Sequence, residues 1–432
     1  MRSELHFDAV VIGAGTAGLT AAARLAEGGA RVCVVAKGIG STHLAPGTID
    51  VLGYAPERVQ EPAAALADLI AAQPEHPYAL LGADAVRAAL DWLAARVAAA
   101  STSGYRYEGS LERNVLLPTA VGALRPSALV PRTMTPGDAR AGGSVCVVGI
   151  PALRDFHASL CAENLTRAGV DATAVEIDVD IEGRSDANAV AVARRFADPG
   201  FRAAFAGALA PRLGAADRVA LPAVLPLREA DVAWDELQSR LGRAVFEIPT
   251  LPPSVPGMRL ADALRATLRG SRGRLVLGAA VLGAHRDGDR VTAVRAHQSG
   301  HDVTYHADWF VLASGGFASG AIALGADWVT RETVLGLPLR GAPGPGEPRF
   351  VADYFGQQPM ARVGIAVGAD LRAEGTENVL VAGASLPGAV PWREGSGEGI
   401  AVTSGHKAAE HVLAAAGATA EVATSETPGA TA

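Results

Sequence analysis

Three glycines, Gly13, Gly15 and Gly18, follow the apolar run Ala9–Ile12 and precede an Ala/Leu/Arg-rich stretch, Leu19–Glu27. A strand, a G-x-G-x-x-G turn and a helix, in that order, are the setting in which this spacing carries chemistry. Gly13 makes the tight turn, Gly15 lets the backbone approach a phosphate, and Gly18 lets helix and strand pack closely. The helix start then offers free N–H groups and a positive dipole end to an anion. Gly28-Gly29 stops the helix, and the apolar, β-branched run Arg31–Ala36 is a second buried strand. This βαβ start predicts a dinucleotide or flavin site, with Gly13, Gly15, Thr16 and Gly18 at the phosphate, against the plainer reading of a glycine turn. Such fingerprints usually place an acid on the ribose hydroxyls ~20 residues on, at the tip of the second strand. Here that tip reads Val34-Val35-Ala36-Lys37. Either the ribose is held by something else or no adenosine ribose is bound. The second reading predicts FMN, with FAD as second choice. A single terminal phosphate would sit on the turn, with Lys37 adding charge nearby.

Two later segments have the same character. Leu312-Ala313-Ser314-Gly315-Gly316 ends a strand and places Ser314 and Gly315 where the chain returns to the first βαβ unit, unless it is an ordinary strand-to-loop exit. Val379–Ala384 leads to Gly395-x-Gly397-x-Gly399 and then a helix. A glycine loop feeding a helix N-terminus stabilises negative charge on a reduced flavin ring, so Gly383, Gly397 and Gly399 join the candidate contacts. Ala384 stands where many flavoproteins carry an Asp for the ribityl chain.

Between the second strand and the next helix lies Ser41-Thr42-His43-Leu44-Ala45-Pro46-Gly47-Thr48. Ser41, Thr42 and Thr48 are candidates to hydrogen-bond a flavin phosphate or ribityl group, and Gly47 lies among them. His43 either contacts the flavin ring and relays a proton, as the catalytic group, or is a satisfied loop histidine. Arg259, at the start of a helix, either holds the phosphate of a substrate bidentately or is salt-bridged at a domain joint. His76-Pro77-Tyr78 fixes a turn before a helix. Lys407 lies inside the last helix and is the weaker phosphate candidate. No Ser or Cys elbow of the nucleophilic type is present.

The elements that must position these residues alternate strand and helix. Helical segments run over about Pro62–Gln73 and Asp84–Ala99, and Ser101–Gly143 is mixed and Pro-rich. A second unit reads Val145–Ile150 strand, Ala152–Arg167 helix, Gly169–Ile177 strand. After the connector Leu251–Gly257 come a helix over Met258–Arg269 and strands over Leu275–Ala296 and Asp302–Leu312, with turns at Asp287-Gly288-Asp289 and Ser299-Gly300. The expected fold class is α/β. A Rossmann-like flavin-binding domain of residues 1–60 plus 255–415 carries an inserted α/β cap domain, 61–254, and residues 416–432 form a disordered tail.

Composition narrows the classes. Of 432 residues 49% are apolar and 19% charged, which suits a large globular core. A net charge of −7 argues against nucleic-acid binding, and Lys37 and Lys407 are the only lysines, so a G-x-x-x-x-G-K-[ST] loop is excluded. Cys33, Cys146 and Cys161 form no C-x-x-C pair. No metal or cluster site is expected, and the thiols read as reduced in a cytosolic protein. No targeting segment and no uninterrupted apolar run of ~20 residues is visible.

The three glycine segments together resemble the two-dinucleotide-binding-motif flavoproteins of the fumarate reductase type. The phrases Phe7–Gly13, Glu75–Gly82, Val145–Ile150, Pro249–Leu260 and Val311–Phe317 bring the chain closer to one family. They resemble the B subunits of the anaerobic glycerol-3-phosphate dehydrogenases, in the same order over nearly the whole chain. That resemblance implies oxidation of glycerol 3-phosphate to dihydroxyacetone phosphate with electrons passed to quinone. It implies FMN here and two further proteins. One is an FAD-containing subunit that carries the alcohol oxidation. The other is an iron–sulfur subunit that holds the cytoplasmic assembly at the inner face of the membrane. Pro46 before Gly47 and the Ser/Glu-interrupted glycine loop at Gly395–Gly399 depart from the family pattern. The competing roles are a stand-alone soluble FAD oxidoreductase for another small molecule and a non-catalytic scaffold.

Overall fold

In the computed structural model, which describes residues 5–425, the opening elements are β1 (Leu5–Ile12), α1 (Thr16–Glu27) and β2 (Val32–Ala36). All five residues of β2 and the second half of β1 are buried, as continuous apolar strands of a sheet covered on both faces should be. β1 lies inside a seven-stranded sheet. β2 pairs with it in parallel on one side, with the parallel strand Arg274–Leu277 beyond. On the other side runs the twelve-residue strand His301–Leu312, also parallel to β1. This strand changes partners along its length. Residues 301–306 lie antiparallel to Arg290–Gln298, whereas 310–312 lie parallel to Val379–Val381. Ala279–Asp287 completes the meander, which reverses at the two predicted glycine turns.

The last helix, Gly397–Ser425, crosses α1 at very short range: a Cβ on Gly405 would run into the Ala17 carbonyl. The two ends of the chain therefore build one unit. A second sheet, Ala244–Ile248, Arg218–Pro222, Val145–Gly149, Ala172–Glu176, is parallel throughout and belongs to the insertion. One buried cluster contains side chains of both sheets, among them Val11, Phe310, Val147 and Phe246. The fold is α/β, a Rossmann-like unit with an inserted α/β unit.

Three local expectations change. The helix placed from Ala152 starts at Ala158. Ala152, Leu153 and Phe156 have helical spacing, but two successive turns, Leu153 N to Ile150 O and Phe156 N to Leu153 O, carry them into the core instead. The Pro-rich stretch before residue 143 contains short antiparallel pairs, Tyr107–Gly109 with Leu129–Pro131 and Val115–Pro118 with Leu124–Ser127. The last helix continues through Ser425, so the expected disordered tail is helical over 416–425, and 426–432 lie outside the described residues. Among the described residues no helix is long and apolar enough to cross a membrane.

Candidate functional site

The C-terminal ends of β1, His301–Leu312 and Val379–Val381 converge. Gly13 N donates to Val35 O at 3.0 Å, Ala313 N to Ile12 O at 2.9 Å, and Ala382 N to Leu312 O at 3.0 Å. The chain leaves these strands through glycines of positive φ, Gly13 (114°), Gly315 (84°) and Gly383 (78°). Beyond them opens a cleft of about 2710 Å³, and Gly13, Gly15, Thr16, Lys37, Ser41, Ser314, Gly315, Gly383 and Gly397 all line it.

Two of the fingerprint glycines are required by packing. A Cβ on Gly13 would meet the Ala313 carbonyl, and one on Gly18 the Gly13 carbonyl. Gly15 differs. A Cβ there would meet nothing within 4 Å, and its φ of −77° suits any residue. The space beside it belongs to the cleft, so no protein atom requires glycine there and the start of α1 is open to a bound group. The first turn of α1 has no acidic residue and no side-chain cap, which leaves its N–H groups for an anion.

The loop after β2 packs against the helix Val255–Gly270. A Cβ on Gly47 would meet Pro256, one on Gly257 would meet Thr42 O, and Ser254 N donates to His43 O at 2.9 Å. Within this loop only part of the predicted set reaches the cleft. Ser41 faces it. Thr42 is buried behind it, with its Oγ1 3.0 Å from Thr16 Oγ1. Thr48 donates to Asp50 Oδ1 at 2.9 Å, in a network completed by Ser127 and Arg125. Gly47, Thr48 and Gly399 stand behind the lining. His43 also lies outside it, half-buried, with Nδ1 unpartnered among the described residues. The expected ring contact by His43 is therefore not what the loop provides: His43 does not reach the lining of the cleft, and its backbone carbonyl is held by Ser254 N of the connector.

The glycine loop before the last helix is held from behind. The Glu394 carboxylate accepts from Ser396 Oγ and Val390 N, both at 2.8 Å, and lies 3.2 Å from His76 Nε2. His76 Nδ1 accepts from Tyr78 N at 3.1 Å, so Nε2 carries the hydrogen that Glu394 receives. Burial raises the Glu394 carboxyl, but these bonds, that of His76 first, outweigh it and hold the group below the usual carboxylate range. Tyr78 donates to Val51 O at 2.7 Å, and a Cβ on Gly399 would run into the Tyr78 hydroxyl. His76 and Tyr78 thus pin the loop, in agreement with the structural role read for them.

One group was not singled out by its sequence position. Glu398, between Gly397 and Gly399, lines the cleft, and the nearby Thr16 hydroxyl favours its ionised form, while its Oε2 is buried without a partner among the described residues. The interruption of a glycine loop by a single acid was the signal. The buried Oγ of Ser314, which also lines the cleft, is likewise unpartnered among the described residues. The outer cleft is aromatic: Phe350, Tyr354, Phe355 and Trp392 line it and are exposed.

Arg259 is corrected from substrate ligand to joint. Its Nη1 and Nη2 bind Glu247 at 2.7 and 3.0 Å, Nε donates to Pro226 O at 3.0 Å, and Nη2 also reaches Leu225 O. Buried and off the cleft, it has no face left for a phosphate. Beside it lies Asp231, fully buried, with neither carboxylate oxygen partnered among the described residues. Burial pushes its carboxyl up to about 6, against the pull of Arg132. A carboxyl whose folded value exceeds its unfolded one stabilises the fold below about pH 4, and that contribution is lost as pH rises through about 6. Asp231→Asn is thus expected to stabilise the chain by on the order of 1–2 kcal/mol at pH 7.5 and by little at pH 4.5. Thermal melts at the two pH values check this. Equal destabilisation at both would refute it.

The chain matches the FAD binding domain family over residues 8–400. It is 33% identical over 423 residues to the anaerobic glycerol-3-phosphate dehydrogenase B subunit of Pectobacterium carotovorum, covering 95% of this chain and 99% of that protein. The protein of the same name from Yersinia enterocolitica is 31% identical over 95% of this chain and 99% of its own length. Among solved structures, a mutant of E. coli quinol fumarate reductase FrdA aligns at 10% identity over 97% of this chain and 72% of that chain, with a TM-score of 0.45.

The family match corrects the expectation of FMN: the cofactor class is FAD. An acid at Ala36 would have supplied a charge-assisted bond of about 1–3 kcal/mol, and its absence weakens the grip without removing the surface. The cleft continues from the phosphate turn past Val35, Ala36 and Lys37 to Ala279–Leu282. The residues present fit the group. Gly15 and the start of α1 would receive its pyrophosphate, and Ser41, Lys37, Ser314 and Gly397 stand along the walls. FAD, when bound, supplies reversible two-electron oxidation and reduction. The cleft fingerprint and the sequence relatives lead to one conclusion: this chain belongs to the FAD binding domain family, as an FAD-dependent oxidoreductase homologous to the B subunit of anaerobic glycerol-3-phosphate dehydrogenase.

Proposed function

We propose that this chain is the flavin-binding B subunit of an anaerobic sn-glycerol-3-phosphate dehydrogenase, in which glycerol 3-phosphate becomes dihydroxyacetone phosphate and the electrons leave for a membrane quinone. The observation that carries this reading is the similarity to a protein of that name over 95% of this chain and 99% of the relative. Its partners are a second FAD-bearing subunit, which carries the alcohol oxidation, and an iron–sulfur subunit that anchors the assembly at the inner face of the membrane. The three cysteines are buried singly, and burial pushes the Cys33 and Cys161 thiols up to about 12, so cluster ligation falls to a partner. Within this chain, the start of α1 holds the pyrophosphate and the strand-end glycines keep the backbone close to the ring system. The pinned Gly395–Gly399 loop presents the start of the last helix.

The test is turnover of glycerol 3-phosphate with a redox dye, by the FAD-loaded chain alone and with the FAD-bearing and iron–sulfur partners added. Slow or no turnover alone, rising at least about tenfold with partners, is expected. Fast turnover by the lone chain would favour the stand-alone oxidoreductase, and a chain that takes up no flavin would favour the scaffold.

A further inference from the structure

We propose that Glu398 is a proton-coupled acid of the cleft, which takes up a proton when the FAD pyrophosphate settles on the start of α1. The inference rests on the FAD assignment and not on the identity of the substrate.

Position is the first argument. The Glu398 carboxyl lines the same cleft as Gly15 and Thr16, and lies close enough to the Thr16 hydroxyl, on the first residue of α1, for that group to favour its ionised form; the side-chain space of Gly15 is open to the cleft. An anion held by that helix end therefore arrives beside this carboxyl. Availability is the second. Acids are missing at Ala36 and Ala384. Of the carboxylates that line the cleft, Glu57 and Asp68 are exposed, and Glu394 is occupied by His76, Ser396 and Val390. Glu398 Oε2 is the buried oxygen without a partner.

The surrounding charges decide the response. Asp50, from the loop after β2, and Arg125, from the hairpin strand Leu124–Ser127, face Glu398. Arg125 is already paired with Asp50, which Thr48 and Ser127 also serve. Tyr107, from the strand Tyr107–Gly109, faces it as a neutral phenol whose titration burial drives far above the usual range. No cation is left over for Glu398 in this group. Burial, with a push from Asp50, brings the carboxyl up to about 7 against the pull of the Thr16 hydroxyl and Arg125. A second anion at close range raises it further, so binding takes up a proton.

The test is a calorimetric FAD titration of the full chain freed of flavin, between pH 6 and 9, in buffers of different ionisation enthalpy. The wild type should take up a fraction of a proton approaching one at pH 8, with affinity falling by up to about tenfold per pH unit above 7. Glu398→Gln should take up none, bind with a flat pH profile and exceed the wild-type affinity at pH 8–9. Glu398→Asp should restore the uptake. Binding without proton exchange by the wild type, or equal uptake by Glu398→Gln, overturns the proposal. No binding by the wild type overturns it together with the FAD assignment. If Glu398→Gln fails to fold, the wild-type proton count alone decides.

Discussion

Arg259→Ala is expected to lower the folding stability of the chain by ~3–5 kcal/mol, a large share of the ~5–15 kcal/mol typical of a domain. The reason is the charge left behind. Glu247 is 1% exposed and accepts from both Arg259 amino groups, from Thr133 Oγ1 at 2.7 Å and from Leu225 N at 3.1 Å. Without the guanidinium, an ionised carboxylate remains in the interior. Arg259 stands on the helix that packs under the loop after β2, and Glu247 on an edge strand of the inserted sheet. The pair thus ties the two units together. Replacing both partners by apolar residues should recover much of the loss, because no buried charge is then stranded. Urea unfolding of the single and double variants measures this. A loss under about 1 kcal/mol for Arg259→Ala would show that the joint is held by packing alone.

The second large effect separates binding from folding within one turn. Gly15→Ala should leave the ligand-free chain within about 1 kcal/mol of wild type, since the added methyl meets no protein atom within 4 Å. Its FAD affinity should fall tenfold or more, because the methyl occupies space the pyrophosphate needs. Gly18→Ala should behave in the opposite order. Its methyl would be driven into the Gly13 carbonyl, so the ligand-free chain itself should melt early or fail to fold. Quenching of FAD fluorescence, beside melting curves of the stripped proteins, distinguishes the two. Wild-type affinity in Gly15→Ala would remove the α1 N-terminus from the site.

The parts legible in sequence were those governed by neighbours in the chain. The apolar runs of β1 and β2, the glycine spacing between them and the meander turns at Gly288 and Gly300 are local patterns, and the elements fall where they indicate. The reading failed where distant residues decide. Ala152–Phe156 has helical spacing but is held in turns. The partner of Arg259 is Glu247 on another sheet, and helical position alone left two roles open. His43 sits in the loop beside the cleft but outside its lining, and its backbone is tied to Ser254, about 210 residues on, a contact no local pattern shows. The choice of FMN weighed one missing contact at Ala36 against a binding surface assembled from strands about 240 residues apart, which no local pattern reveals. Glu398 was visible only as a break in a glycine run, and its meaning depends on Thr16 nearly the whole chain away.

The strand that changes partners sets a timetable for synthesis. β1 and β2 leave the ribosome first, but the parallel neighbour of β1, His301–Leu312, follows about 290 residues later, on the order of 15–60 s at ordinary elongation rates. During that interval the inserted unit, whose four strands all lie between residues 145 and 248, has its whole sheet available for folding. The first unit by contrast holds a bare edge of Ala9, Val10, Val11 and Ile12, and an open edge of that composition is a template for pairing with another chain. The nascent protein therefore carries a finished middle and an unfinished beginning, and its demand for chaperone cover falls on the first forty residues until the meander has emerged.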